Sequence, residues 1–204
     1  AYDMVVSYTI RQEQDRSAET APLIEESIQK VLDVSEEISS LDFYQTLFKN
    51  ALTESFTDLA DSPDAASFSR KVDQLIAGTP VTNVKIYMEV PKDSPSDINA
   101  LFDKEDLKDT FLSLDQVRGT YWYGIFRGSR VSQLFCPSFY LGTKEQKAYG
   151  DQAYITHASV IYNNGTYDAY MAVYYSGHDF QQILSGNLTL DGSVSYIMNE
   201  RNNL

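Results

Sequence analysis

Tyr154-Ile155-Thr156-His157-Ala158-Ser159-Val160-Ile161-Tyr162 is followed, across Asn163-Asn164-Gly165-Thr166, by Tyr167-Asp168-Ala169-Tyr170-Met171-Ala172-Val173-Tyr174-Tyr175. Tyr, Val, Ile and Thr fit the pleated surface of a sheet better than the face of a helix. The Asn-Gly link is a strong hairpin signal, because both residues accept the positive φ of a tight turn. The segment therefore reads as two antiparallel strands, and the fold class turns on it.

Working outward, the same period recurs upstream. Val84, Ile86, Met88 and Val90 alternate with Asn83, Lys85, Tyr87 and Glu89, the pattern of a half-buried strand. Arg130 to Cys136 and Val194 to Met198 are further strand-like runs. Lys104 to Leu114 reads as a short helix, and so does Asp179 to Leu184.

Before Val81 the period is helical. Thr20-Ala21-Pro22 is a helix start, with Thr20 as cap and Pro22 in the first turn. Leu23, Ile24, Ile28, Val31, Leu32, Ser35 and Ile38 step by threes and fours to form an apolar stripe. Residues 1–19 are polar and ambiguous; a helix extended back through them would be kinked at Pro22. Phe43, Leu47, Phe48, Ala51, Leu52, Phe56 and Leu59 form the inner face of a second helical run, ended by Asp61-Ser62-Pro63. A third helix is expected from about Asp64 to Ala77, with Phe68, Val72, Leu75 and Ile76 inward and Gly78 and Pro80 as stops. Helices first and a mostly antiparallel sheet afterwards define the α+β class.

The 204 residues carry a formal net charge of −13, unevenly placed. Residues 1–110 hold 22 acidic and 10 basic side chains but only 9 aromatics; residues 111–204 hold 7, 6 and 17. An acidic helical lead thus precedes a near-neutral, Tyr-rich sheet. The acidity argues against nucleic acid and anionic membrane surfaces as partners. A single cysteine excludes a disulfide framework and a Cys-rich zinc site. No basic, apolar leader opens the chain, and its apolar runs fall far short of the roughly 20 residues a spanning helix needs. Both ends read as the edges of a piece of a longer protein.

The familiar catalytic patterns are missing: no His-Glu-x-x-His, Cys-x-x-Cys, Gly-rich phosphate loop or Gly-x-Ser-x-Gly elbow. Cys136 lies in the apolar run Leu134-Phe135-Cys136 and reads as a structural thiol. His157 lies within a strand as a core or pocket-wall residue, and His178 reads as a helix-start residue. The acidic pairs Glu25-Glu26, Glu36-Glu37 and Glu105-Asp106 read as solvated helix faces, with no calcium-loop pattern around them. Asn164-Gly165-Thr166 and Asn187-Leu188-Thr189 match the glycosylation sequon, a pattern common by chance. No metal site or cofactor is expected.

One cluster stands out. Tyr121-Trp122-Tyr123 places three aromatics together after Arg118, and Tyr140, Tyr154, Tyr162, Tyr170, Tyr174 and Tyr175 follow on the sheet segment. Aromatic walls with a few polar tips line small-molecule pockets; the alternative is that these rings only pack the core and sheet faces. The candidate ligand-binding residues are Arg118, Tyr121, Trp122, Tyr123, Tyr140, His157, Tyr170 and Tyr174.

The order of these parts carries a resemblance. A long helix, the strand Asn83–Val90, Trp122-Tyr123, Ile155 to Asn163, Ala169 to Tyr175 and then Asp179-Phe180-Gln181-Gln182-Ile183-Leu184 together resemble the extracytoplasmic Cache (PAS-like) sensor domains of bacterial membrane receptors. YesM-type sensor histidine kinases are the nearest likeness. It covers about residues 17–204 and rests on order and spacing. It implies long N-terminal helices packed on a PAS-like, mainly antiparallel five-stranded sheet. It further implies residues 1–78 as a helical stalk, 79–190 as the sensor domain, and 191–204 as the truncated start of a following strand or second module.

The implied function is ligand sensing without chemistry. A small molecule binds at the Trp122 pocket, and the N-terminal helices carry the change to flanking transmembrane helices and a cytoplasmic histidine kinase. The resemblance also implies an extracytoplasmic location at the cell membrane. Amino-acid-binding members of the family carry an Arg two residues before Trp-Tyr and an Asp late in the second hairpin strand. Here Thr120 stands at the Arg position, Arg118 is two residues earlier, and Tyr174 or Tyr175 stands at the Asp position. The expected ligand is therefore uncharged and ring-stacking, a sugar or other polar metabolite rather than an amino acid. The stripe of Leu23, Ile28, Val31 and Ile38 is expected to pack on the sheet, with weak homodimerisation through the N-terminal helices as an addition. Two rivals are a secreted or lipid-anchored binding module and a surface hydrolase; the hydrolase requires Asp151, Asp168 and Asp179 to converge.

Overall fold

A computed structural model of the chain describes residues 2–48, 55–90, 97–136, 140–150, 152–162 and 165–185. Its centre is the expected hairpin. Strands β4 (Gln152–Tyr162) and β5 (Gly165–Tyr175) pair antiparallel from Gln152↔Tyr175 to Tyr162↔Gly165. On its other edge β5 pairs antiparallel with β1 (Val81–Met88). β2 (Phe111–Ser113) adds parallel to β1, and β3 (Gln133–Cys136) adds antiparallel to β4. The hydrogen-bonded order is β2-β1-β5-β4-β3, a mixed sheet in an α+β chain.

The period of two divides β1 and β5 between two cores. Val84, Ile86 and Met88 of β1, with Ala169, Met171, Val173 and Tyr175 of β5, belong to one apolar cluster. Tyr87, Tyr170, Ala172 and Tyr174 belong to the other. The first face is covered by the lead helices α1 (Tyr2–Ser39), α2 (Asp42–Phe48), α3 (Phe56–Ala60) and α4 (Pro63–Ile76). α5 (Asn99–Asp103) supplies Leu101 to the same cluster and α8 (Gly177–Ser185) supplies Phe180. The second face is covered by a 3₁₀ turn at Leu114–Gln116, by α6 (Tyr121–Gly128) and by α7 (Thr143–Tyr149).

Within the lead, Val31 and Ile38 are fully buried, Ile28 packs against the cluster half-buried, and Leu23 remains 48% exposed. Rings of Phe43, Phe68 and Phe111 meet pairwise at centroid distances of 5.3, 5.7 and 5.8 Å, joining α2, α4 and β2. Each such fully buried ring is worth about 1.5–3 kcal/mol.

Several expectations are corrected. α1 begins at Tyr2 and runs through Pro22, so Thr20 is an interior residue and not a cap. Pro22 has no N–H to offer the Ala18 carbonyl; both residues are exposed, where water can serve it. The second helical run is not continuous. Ser55 is extended (φ −71°, ψ 154°) and accepts from the Asp58 N–H, so a new helix starts there. Pro63 opens α4 behind the Ser62 cap. Lys104 to Leu114 is not a helix: turns carry the chain to Phe111, where the edge of β1 captures it, and the Ile86 N–H donates to the Thr110 carbonyl at 2.7 Å. Pairing and burial of Phe111 override a weak local helix preference. Tyr121-Trp122-Tyr123 opens a helix, α6, and neither that helix nor α7 was foreseen. The expected strand Val194 to Met198 lies outside the described residues.

One long-range clamp ties the lead to the sheet domain. The Asp97 carboxylate accepts from the Phe56 N–H at 3.0 Å, the Thr57 N–H at 2.9 Å and the Thr57 hydroxyl at 2.7 Å, at the first turn of α3. Partial burial pushes its pKa up, but the three donors outweigh burial and hold it below the ordinary carboxylate value. A depressed carboxylate stabilises above its unfolded pKa and loses that contribution as pH falls through the folded value. Asp97→Ala is therefore expected to cost about 1 kcal/mol at neutral pH in urea unfolding. The difference from wild type should shrink as pH falls below about 4; a cost that stays constant down to pH 2 contradicts this account.

Candidate functional site

The second face of the sheet is built around α6. Thr120 caps it, accepting from the Tyr123 N–H at 3.4 Å while its hydroxyl donates to the Val117 carbonyl at 2.7 Å. Trp122 and Phe126, four apart, point at the sheet, and Tyr121 points away, 64% exposed. The Trp122 ring is fully buried against Tyr170 at 5.6 Å, Phe126 at 6.2 Å and Tyr87 at 6.2 Å.

Beside Trp122 lies a buried carboxylate, Glu145 of α7. Its Oε1 accepts from the Tyr174 hydroxyl at 2.6 Å and from Trp122 Nε1 at 3.1 Å; its Oε2 accepts from Trp122 Nε1 at 3.2 Å and the Gly142 N–H at 3.2 Å. Tyr174 has one proton and spends it on Glu145, so the 2.8 Å contact between the Tyr87 and Tyr174 hydroxyls is donated by Tyr87. The bonds run one way, from Tyr87 through Tyr174 into the carboxylate. Burial raises the Glu145 pKa, while the donors from Tyr174, Trp122 and Gly142 pull it back. Burial also pushes Tyr87 up, with the bond to Tyr174 opposing it and the Glu145 charge adding to it; burial, then Tyr87 and Glu145, push Tyr174 up. Tyr149 stacks on Tyr174 at 4.4 Å, and the Lys85 ammonium lies 5.2 Å from the Tyr149 centroid while donating to the Asp109 carbonyl. Burial lowers the Lys85 pKa, against the opposing charge of Asp109.

At the β1 exit the same face becomes a charged rim. Register places Glu89 opposite Asp168, with the Glu89 N–H donating to the Asp168 carbonyl at 2.9 Å. Arg118 Nε meets Asp115 Oδ1 at 2.6 Å, its Nη2 lies 3.4 Å from Glu89 Oε1, and its Nη1 donates to the Tyr123 hydroxyl at 3.0 Å. Arg127 Nη1 is 4.0 Å from Asp168 Oδ2. Tyr123 and Phe126 pack on Tyr170 at 5.7 and 5.2 Å as the floor. Burial, with Asp168 next, pushes the Tyr170 phenol up to about 12.

The expected site residues thus divide. Trp122, Tyr170 and Tyr174 are buried packing and network residues, and Tyr123 and Arg118 belong to the rim. Tyr121, exposed, pairs at 4.9 Å with Tyr140, which is partly buried against the α6-side cluster. His157 pairs its backbone with Tyr170; its side chain lies outside the described residues. Glu145, Tyr87, Glu89 and Arg127 were not foreseen. The strand alternation already put Tyr87 and Glu89 on the face of Tyr170; nothing in Thr143-Lys144-Glu145-Gln146 distinguishes Glu145 from a solvated helix residue.

Cys136 is buried, and burial followed by the Glu145 charge raises its thiol far above the range in which thiolate forms. Asp168 lies in the rim, Asp179 is exposed in α8, and Asp151 lies outside the described residues. Among the described residues no group of three or more His, Cys, Asp or Glu converges on a metal position, and no helix is long and apolar enough to cross a membrane. No family model, curated protein or solved structure matches the chain.

Glu145→Ala leaves the Trp122 and Tyr174 donors unserved in the core and is expected to cost about 1–3 kcal/mol or more. Glu145→Gln keeps the shape and removes the charge. Because burial raises its pKa, folded Glu145 retains a proton over a window in which the unfolded chain has lost it. Wild-type stability should then fall as pH rises from the ordinary carboxylate range through the folded value. Urea unfolding across pH should show that slope in wild type and its loss in Glu145→Gln; identical pH profiles contradict a strained buried carboxylate.

Proposed function

We propose that this chain is an extracytoplasmic ligand-sensing domain of a membrane receptor, of the Cache (PAS-like) type, with a two-component histidine kinase as its output. In this reading the sheet and its flanking strands form the five-stranded PAS-like unit. A small molecule binds non-covalently on the α6 face, and the long N-terminal helix carries the change to transmembrane helices flanking the domain. The observation that supports it is the placement of two different surfaces on the two sides of one strand. β5 presents Tyr170 and Tyr174 to α6 and the rim, and Met171 and Val173 to the cluster shared with α1.

Sensing requires that ligand favour one packing over another, since a ligand shifts an equilibrium only by its differential affinity. A change at Tyr170 has one residue to cross before it meets the α1 side. α8 follows β5 after a single residue, its Phe180 ring packs on Tyr175 at 5.4 Å, and α8 lies beside α1. The helical lead and the hairpin exit are therefore neighbours. Exposed Leu23 leaves part of the α1 stripe for a homodimer contact.

Two measurements test this. The gene on either side of the segment should encode transmembrane helices and a kinase core; a lipid-attachment signal followed by a stop codon favours a free binding module instead. A thermal-shift screen with sugars, amino acids and carboxylates should show stabilisation by uncharged polar compounds. Ligand at saturating excess adds a few kcal/mol, about 2–4 °C of midpoint shift per kcal/mol for a domain this size. Stabilisation by no class removes the sensing reading; stabilisation by amino acids alone removes the uncharged ligand.

A further inference from the structure

The buried network under α6 has a direction, and packing makes no use of it. Glu145, Trp122, Tyr174 and Tyr87 are all buried, and their polar tips form one chain. Tyr87 donates to Tyr174, Tyr174 donates to Glu145, and the Trp122 indole and the Gly142 N–H donate to the same carboxylate. Among the described residues no cation pairs with that carboxylate. The donors are of two kinds. The indole and backbone N–H groups can only donate, whereas each phenol hydroxyl turns about its C–O bond and can donate or accept. A proton placed on Glu145 Oε2 would face the Gly142 and Trp122 N–H groups, which cannot give way. A proton on Oε1 faces the Tyr174 hydroxyl, which can turn, and Trp122 Nε1, which already reaches Oε2 at 3.2 Å.

We propose that Glu145, Tyr174 and Tyr87 form a pH-operated relay, in which uptake of a proton on Glu145 Oε1 in the folded protein reverses the chain of hydrogen bonds and carries the change from α7 through β5 to β1. The added proton comes from solvent and stays on Glu145, which donates it to Tyr174. Tyr174 keeps its own proton and turns it to Tyr87. The Gly142 and Trp122 donors keep Oε2 as their acceptor. Tyr87 must then turn its proton out of the chain, so the unmet group moves from a carboxylate on α7 to a phenol on β1. Every group involved belongs to the folded chain, so the inference does not rest on the sensing reading.

The other titratable groups around Glu145 come from each element packed there. On α7, Tyr149 stacks on Tyr174, and Lys144 and Lys147 are exposed. On β1, Lys85 donates to the carbonyl of Asp109, whose charge also acts on it. On β3, Cys136 is a buried thiol. On α6, Tyr123 packs on Tyr170 and Arg127 reaches Asp168. On β4, Ile155 belongs to the same cluster, and His157 pairs its backbone with Tyr170, four residues along β5 from Tyr174. A histidine ordinarily titrates near 6.5, so a His157 variant is part of the test.

Trp122 is the one tryptophan of the chain and its indole N–H sits on the titrating group, so its fluorescence reads the relay. Wild type should show a reversible one-proton change in emission at constant far-UV circular dichroism. Because burial raises the Glu145 pKa, the midpoint should lie above the ordinary glutamate value of about 4.3. Glu145→Gln should lose the transition and His157→Gln should keep it. Tyr174→Phe removes the shortest donor to the ionised form and should raise the midpoint by about one pH unit or more. Tyr87 donates to Tyr174 and not to the carboxylate, yet Tyr87→Phe should raise the midpoint too, by less, and should add nothing in a chain already carrying Tyr174→Phe. A merely structural Tyr87 would leave the midpoint in place. Wild type and Tyr87→Phe decide the matter where Glu145→Gln fails to fold. Three results overturn the relay: flat Trp122 emission in folded wild type from about pH 4 to pH 8, a transition lost with His157, or shifts from the two phenols that simply add.

Discussion

Everything in this fold depends on β5 being paired on both edges and buried on both faces. From Ala169 to Tyr175 it is paired with β1 on one edge and β4 on the other, so its side chains there point only up or down, in alternation. A slip of one residue in its pairing would exchange Tyr170 and Tyr174 with Ala169, Met171 and Val173, putting hydroxyls among the lead helices and aliphatic groups against Glu145. The two cores differ so sharply in chemistry that each polices the register of the other. The small residues Ala169 and Ala172 lie on opposite faces and leave room for bulky partners from the covering helices.

The core under the lead helices is built mainly from apolar area and ring contacts, whereas the α6 core is held by directed hydrogen bonds. Its tyrosines are buried bodies with polar tips, and each buried tip must find a partner. Glu145 is the sink that orients them. All its contacts are donors, so the ionised form satisfies every bond and the protonated form would leave its own proton facing donors. Desolvation works against the charge and geometry works for it. The consequence is a pivot at which α6, α7, β1 and β5 meet and which resists any shear of α6 along the sheet. The same carboxylate also receives the Gly142 N–H, the reciprocal half of a capping box, so the pivot and the start of α7 are one structure. At the other end α7 is closed by Gly150 (φ +101°), where an added Cβ would lie 3.2 Å from the Tyr175 carbonyl; the helix can end against β5 only with glycine there.

What could be read from the chain follows from this division. The α+β class, the hairpin and the alternation of β1 were legible, because each is set by a local period. β2 was not, since Phe111 becomes a strand only when the edge of β1 is there to receive it. The run from Phe43 to Leu59 kept its helical period but hid the break at Ser55, where a cap side chain wins over periodicity. Thr20-Ala21-Pro22 misled for the opposite reason: start signals tolerated inside a long helix look the same as signals that begin one. At the site, the aromatic cluster was legible as a cluster, but whether a ring is floor or wall depends on what covers it. Trp122 and Tyr174 are covered and Tyr123 is not. Glu145 and Arg127 were invisible because a buried or paired charge has the same letter as a solvated one; Glu89 was placed on its face by the alternation, but its pairing was not.

The charge asymmetry of the chain takes on a structural meaning from the same reasoning. Much of the excess acid of the first half sits on exposed helix surfaces: Asp33, Glu36 and Glu37 line an open hollow of about 380 Å³ with Ser40. In the second half the charges are few and nearly balanced, and those near α6 are placed against one another. A hydrated carboxylate costs the fold little and specifies nothing. A carboxylate held opposite another at a strand end, with a guanidinium brought to each from a different element, costs sheet stability and specifies a geometry. Arg118 lies in the turn before α6 and Arg127 in its last turn, and Trp122 fixes that helix by its bond to Glu145. The spacing of the rim charges is therefore set from beneath, by a buried bond, rather than by the mutual attraction of the exposed ions.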